Sequence, residues 1–216
     1  MLVTLSRQLG AGGSQVAEAA AETLGFRLVD RALADSVAAR AGVPAEDVAR
    51  LEERTPGFLE RFLHASTAEL PDPFVPPTGA LEDPEEAKLV RATRALVREL
   101  AAEGRVVIVG RGAFAILAGH PAALHVRVVA PLEQRVARLA ERLRTDARAA
   151  QQRIARSDAE RTHYFRAYYG LDPNDPTHFD LVVNTARLGI EGAAALVASS
   201  ARALSAAREH AGPARA

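Results

Sequence analysis

Five consecutive residues, Gly10-Ala11-Gly12-Gly13-Ser14, carry the strongest chemical signal in the chain. Backbone amides in a glycine-rich bend, closed by a hydroxyl and running into a helix, make a cradle for anionic oxygen atoms. The same glycines could instead form only a tight turn between two elements. Two phosphate-binding spacings compete for the segment. A GxGxxG dinucleotide fingerprint fits Gly10 and Gly12 but lands its third glycine on Gln15, while Asp30 stands near the acidic position that pattern requires. A GxxxxGK(S/T) loop fits Gly12 and Ser14, with Arg7 where its first glycine belongs and Gly13 where its lysine belongs. Lys88 is the only lysine in the sequence, so arginine must supply any cation that lysine ordinarily would. Arg7 is the nearest candidate. Its guanidinium either reaches phosphate oxygens from the loop's other end or pairs with a surface carboxylate.

A cradle of this kind needs a strand before it and a helix after it. Leu2 to Leu5 is a short aliphatic and β-branched run, and Ser14 to Leu24 repeats Val16, Ala20 and Leu24 at helical spacing before stopping at Gly25. Phe26 to Asp30 alternates like a second strand. Arg31 to about Arg61 reads as helical with a break at Gly42-Val43-Pro44, and residues 71 to 84 form a proline-rich loop. A helix over Pro84 to Ala102 precedes Val106-Val107-Ile108-Val109, an unbroken apolar run of the kind buried on both faces, which ends in Gly110-Arg111-Gly112. Leu124 to Val129 is a further strand. The helix after Pro131 keeps Leu132, Val136, Leu139 and Leu143 on one face and Arg135, Arg138 and Arg142 off it. An arginine-rich helical stretch, Asp146 to Tyr169, leads to the strand Leu181 to Asn184 and a closing helix, Ile190 to Ala207. Strands alternating with helices imply a parallel sheet covered on both faces.

Composition narrows what such a sheet can serve. The 216 residues are 48% hydrophobic and 25% charged, as expected of one globular domain with small appendages. Formal net charge is zero, which gives no long-range field toward nucleic acid or an acidic membrane surface. Cysteine is absent, so disulfides, thiolate metal sites and a cysteine nucleophile are excluded, and a reducing compartment fits. Neither a signal peptide nor a membrane span is visible, and the expected location is the cytoplasm. His125 and His163 stand alone without metal-ligand spacing, and no GxSxG elbow is present. Tyr164, Tyr168 and Tyr169 cluster in sequence, for core packing or for stacking on a base.

Leu5 to Ser14, Phe26 to Arg31 and Val109-Gly110-Arg111-Gly112, read together, resemble the cytidylate kinase-like branch of the nucleoside-monophosphate kinases. That resemblance implies a P-loop NTPase-type α/β fold, a three-layer sandwich whose central parallel sheet is flanked by helices. It would be a single domain over 1–216, with an acceptor-binding insert at 44–84, a lid at 144–170 and a flexible tail at 208–216. It implies ATP and Mg2+, with the amides of Gly10, Ala11, Gly12, Gly13 and Ser14 on the β-phosphate and the Ser14 hydroxyl near the metal. By the same resemblance Arg111 holds the acceptor monophosphate, and Arg91 and Asp30 lie at the acceptor site. Asp158 and Arg161, three apart on a helix, match the pair that recognises the cytidine monophosphate; an ordinary intrahelical ion pair is the plainer alternative. Arg156 and Arg153 would be catalytic lid arginines beside Arg7. Val109 and Gly112 occupy positions where the family signature carries acids. The expected partners are small-molecule nucleotides, with no nucleic acid and no membrane, and the protein a monomer or homodimer. Three readings stand at this point: a kinase transferring the ATP γ-phosphoryl group to CMP or dCMP, a nucleotide-binding regulatory protein of the same fold without turnover, and a dinucleotide-binding oxidoreductase.

Overall fold

The strand preceding the glycine loop, β1 (Leu2–Arg7), is buried along its whole length, which requires neighbours on both edges and layers on both faces. In the computed structural model, which describes residues 1–30 and 84–211, β1 pairs in parallel with β3 (Val106–Val109) and with β4 (Ala123–Val129). Outside these lie β2 (Arg27–Val29) and β5 (Leu181–Asn184), giving a five-stranded parallel sheet in the order β2-β3-β1-β4-β5. A dinucleotide-binding sheet places its second strand beside its first. Here β3 takes that place, and the oxidoreductase reading of the glycine loop falls with it.

The helices are α1 (Gly13–Leu24), α2 (Pro84–Glu103), α3 (Ala113–Ile116), α4 (Leu132–Leu143), α5 (Ala147–Tyr169) and α6 (Thr185–Ala211). Alternation along the strands decides which helix covers which face. Val3, Leu5, Val107, Val109, Val126 and Val128 point to α1 and α6, which meet them with small residues, Ala17, Ala20, Ala193 and Ala194. Leu2, Val106 and Ile108 point the other way, onto Val97 and Leu100 of α2. A smaller core joins Leu9 of the glycine loop to Leu139 of α4 and to Ala150 and Ile154 of α5. Full burial of one such leucine is worth about 2 kcal/mol, so the loop is packed from beneath as well as bonded.

Several boundaries differ from expectation. β1 continues through Ser6 and Arg7, which stay paired in register with Arg127 and Val128 of β4. The closing helix begins at Thr185, breaks at Gly189 and runs to Ala211, so residues expected in a frayed tail are helical. Short α3 and a 3-10 turn at Pro176–His178 add to the expected elements. Asp146 caps α5 by accepting from the Ala149 amide at 2.9 Å. The expected 44–84 insert and 71–84 loop fall almost wholly outside the described residues, as do 212–216. Among the described residues no helix is long and apolar enough to cross a membrane.

Candidate phosphate site

The bend after β1 uses some of its amides internally and leaves those at the start of α1 without partners in the helix. Gln8 N–H still bonds the Val128 carbonyl of the sheet, at 3.1 Å, and Ala11 N–H turns back to the Gln8 carbonyl. Gly12, at φ 79° and ψ 16°, is the N-cap of α1 and supplies no side-chain acceptor. The first intrahelical bond is Val16 N–H to the Gly12 carbonyl, which leaves the amides of Gly13, Ser14 and Gln15 without helical partners. Gly10, at φ 79°, lies so close to α4 that a Cβ there would sit 2.5 Å from the Arg135 carbonyl oxygen. Above the bend opens a cleft of about 610 Å3, bordered by Gly10, Gly12, Ser14, Arg138, Arg142 and Ile190.

The carbonyls of the bend are held from beneath. Arg161 Nη1 of α5 donates to the Arg7 carbonyl. Arg135 Nε of α4 donates to the Leu9 carbonyl at 2.8 Å. The Ala11 carbonyl accepts from Thr185 Oγ1 at 2.7 Å and from Arg138 Nη1 at 3.4 Å, and Arg138 also donates to the Thr185 hydroxyl at 2.8 Å.

Arg7, Arg111, Arg127, Arg135 and Arg161 are each less than a tenth exposed. Arg7 lies 3.6 Å from Asp30, and Arg135 Nη2 donates to Asp158 at 2.7 Å. Burial, then repulsion from Arg127, Arg7 and Arg135 against the attraction of Asp158, pushes the Arg161 guanidinium down to about 9. A buried cation under such repulsion favours any anion that enters its field. The cleft is therefore backed by positive charge held under the loop.

A second polar group lies on the α2 face of the sheet toward the strand ends. Arg127 donates to Ser6 Oγ at 3.3 Å and to Asn174 Oδ1 at 2.7 Å, with its guanidinium 5.5 Å from the Phe179 ring centre. Thr4 Oγ1 and His125 Nδ1 are 2.7 Å apart. Phe114 packs on Phe165 and Phe179 with ring centres 4.8 and 4.7 Å apart, and Tyr164 packs on Tyr168 at 4.9 Å. Burial raises the Tyr164 phenol well above its ordinary range. These tyrosines are packed into the aromatic core that seats α5 against α3.

The residues singled out from sequence divide between these places. Gly10, Gly12, Gly13, Ser14 and Arg7 border the cleft, and Ala11 holds the bend through its carbonyl. Asp30 meets Arg7. Asp158 and Arg161 share α5 but are bonded elsewhere, to Arg135 and to the Arg7 carbonyl. Arg111 is buried at the carboxyl end of β3 with φ 56°, an uncommon conformation for a residue with a Cβ. Arg153 is half-buried on α5, whereas Arg91 on α2 is exposed. Arg156 is exposed and bonds Glu160 one turn along, at 3.3 Å. Among the cleft residues that sequence reasoning did not select are Arg138, Glu141, Arg142 and Ile190, and it also passed over Thr185, which holds the bend through the Ala11 carbonyl. The one available signal was that Arg135, Arg138 and Arg142 fall at i, i+3 and i+7 on one helical stripe.

Strand order, the uncapped glycine bend and the flanking helices define an α/β protein of the P-loop NTPase fold. The chain belongs to the cytidylate kinase-like family, whose model matches residues 2–187. It is 30% identical over 209 residues to the cytidylate kinase of Natronomonas pharaonis, covering 94% of this chain and 90% of that one. With the cytidylate kinase of Methanothrix thermoacetophila it shares 27% over 208 residues, covering 94% and 99%. The match to the cytidylate kinase of Methanopyrus kandleri, 36% over 98 residues, takes in 42% of this chain and 51%, about half, of that relative. Among solved structures, an uncharacterized protein from Eubacterium ventriosum superposes with a TM-score of 0.67 at 18% identity, covering 94% of this chain and 98% of that one. Shikimate kinase from Bacteroides thetaiotaomicron gives a TM-score of 0.53 at 16% identity with the same coverage. Both share the fold.

Proposed function

We propose that this protein transfers the γ-phosphoryl group of ATP to a nucleoside monophosphate, with cytidylate, CMP or dCMP, as the acceptor. The observation that carries the reading is the uncapped start of α1, opening into a cleft bordered by Arg138 and Arg142. Membership of the cytidylate kinase-like family and full-length relatives bearing the name cytidylate kinase support it.

Phosphoryl transfer asks the protein for position and positive charge rather than covalent chemistry. The amides of Gly10, Gly12, Gly13 and Ser14 would bind the oxygens of the polyphosphate. Arg138 and Arg142 would supply charge from the cleft wall, and Arg7 from behind the loop. On the acceptor side Arg111, with Asp30 and Arg91, would hold the monophosphate, and Arg153 and Arg156 would approach from the lid helix. Magnesium fits this donor set: the Ser14 hydroxyl is exposed at the first turn. Among the described residues no cluster of His, Cys, Asp or Glu offers a protein cage, so phosphate oxygens and water would complete its shell. When bound, the ion supplies neutralisation of charge on the phosphates. A cytoplasmic location accords with this chemistry.

A second reading, nucleotide binding without turnover, has its own observation. Gly13 stands where a phosphate-loop lysine belongs, and a Cβ there would lie 2.5 Å from Cβ of Arg7, so no lysine can stand there while Arg7 keeps its place. A coupled assay of purified protein with ATP, magnesium and a panel of monophosphates distinguishes the two. Product with CMP or dCMP supports the kinase; nucleotide binding with no product from any acceptor supports the second reading and overturns the first.

A further inference from the structure

We propose that Arg135 is a positioning residue that ties the lid helix α5 to the phosphate bend, with Asp158 as its partner rather than as a reader of the acceptor base. The inference rests on the nucleotide-binding reading above and names the residues that hold its cleft in shape.

Arg135 meets the bend twice. Its main-chain carbonyl lies against Gly10, where a Cβ would come within 2.5 Å, and its side-chain Nε donates to the Leu9 carbonyl at 2.8 Å. From the same planar group, Nη2 donates to Asp158 on α5 at 2.7 Å. A guanidinium is rigid, so one plane fixes a loop carbonyl and a lid carboxylate relative to each other. The Arg135 side chain is almost wholly buried, so water has little access to replace its bond to the Leu9 carbonyl, while the Asp158 carboxylate at the other end of the fork is partly exposed. Two further ties act in parallel: Arg161 of α5 holds the Arg7 carbonyl, and the Leu9 side chain packs with Ala150 and Ile154 of α5.

The consequence for the ligand follows from the peptide plane. Among the described residues every peptide bond is trans, and in a trans unit the N–H points opposite to the C=O. Fixing the Leu9 and Ala11 carbonyls onto Arg135 and Thr185 turns the Gly10 and Gly12 amides the other way, as phosphate donors. Docking of α5 and readiness of the bend are thus one coupled equilibrium, and a ligand that grips the amides favours the docked helix. Asp158 sets the orientation of Arg135 and through it the bend; its partner Arg135 is on α4, 23 residues away in sequence.

Two conservative variants test this, Arg135→Lys, which keeps charge and loses the fork, and Asp158→Asn, which keeps shape and loses charge. Each is assayed for ATP affinity by calorimetry, for KM of ATP and of CMP, and for backbone hydrogen exchange over residues 8–15 in the free protein, with thermal stability measured alongside. Loss of a charged hydrogen bond that orders the site is expected to weaken ATP binding about tenfold or more. KM for CMP stays within about twofold, the double variant is little worse than either single one, and exchange in the bend rises. Asp158→Asn raising KM for CMP alone, with ATP affinity and exchange unchanged, overturns the proposal and returns Asp158 to the acceptor. Lower melting temperature with unchanged ATP affinity and exchange also overturns it, leaving Arg135 a packing residue. Should Arg135→Lys not fold, Asp158→Asn alone decides. Failure of the parent protein to bind ATP would refute the functional reading, while the exchange measurement still tests the tie.

Discussion

Substituting Gly10 by alanine puts the close approach of α4 to the phosphate bend to a quantitative test. Two costs act there. A residue with a Cβ held at φ 79° loses about 1–2 kcal/mol to left-handed strain. The new methyl would also lie 2.5 Å from a helix carbonyl oxygen where ordinary contact begins at 3.4 Å, and a main-chain atom cannot escape by changing rotamer. Arg135 must retreat by about 0.9 Å, far enough to strip its bond to the Leu9 carbonyl, which as a hydrogen bond from a charged group is worth about 1.5–3 kcal/mol. Gly119 provides the control, with φ 75° but nothing within 4 Å of its would-be Cβ. Gly119→Ala thus carries the strain alone. The expected difference between the variants is about 2–3 kcal/mol, which for a chain of this size lowers the melting temperature of Gly10→Ala by roughly 5–10 °C relative to Gly119→Ala. Thermal unfolding followed by circular dichroism reads it directly. Melting points within about 2 °C of each other would refute the argument that the helix backbone closes on the bend.

Stability should also fall with acid through His125. Burial, only partly offset by Asp180, holds its pKa below the ordinary 6.5, so the folded state resists protonation and stability is lost as pH drops below about 6.5; His125→Asn should flatten that slope relative to the parent in urea titrations at stepped pH. Pyrophosphate should raise the melting temperature beyond chloride at matched ionic strength, by several degrees near 100 times its Kd, equivalent to about 2.7 kcal/mol. Equal melting in the two salts would count against the cleft as an anion site. Thr185→Val removes the hydroxyl shared by the Ala11 carbonyl and Arg138 and should cost about 1–3 kcal/mol in denaturant and weaken binding of ATP, whereas Thr185→Ser should retain both.

The sequence spoke clearly wherever structure is local. Val106–Val109 and Leu181–Asn184 have the bounds their apolar runs suggest, and the helix after the bend ends at Gly25 as read. It spoke poorly where a residue's environment comes from far along the chain. Ser6 and Arg7 look like the polar end of a strand, yet both are buried, Ser6 by Arg127, which lies 121 residues on. Arg135 sits off the apolar stripe of its helix and is nevertheless among its buried residues, while Leu132 on that stripe is 46% exposed. What decides both positions is the carbonyl and carboxylate waiting across the fold, and no period in the local sequence encodes those. The glycine bend was legible as an anion cradle; its wall of Arg138, Arg142 and Ile190 was not, because Ile190 reaches Gly12 only once α6 is folded back beside α1.

The central strand has one further property. Val3 and Leu5 enter the aliphatic layer, while Thr4 and Ser6 meet His125 and Arg127 beneath. Slipping by a single residue against β4 would drive hydroxyls into hydrocarbon and present valine and leucine to an imidazole and a guanidinium, penalising every step of the mispairing at once. Those polar pairs thus serve as a ratchet during assembly, letting the first strand click into only one alignment and so delivering the glycines that follow it to the correct height above the sheet.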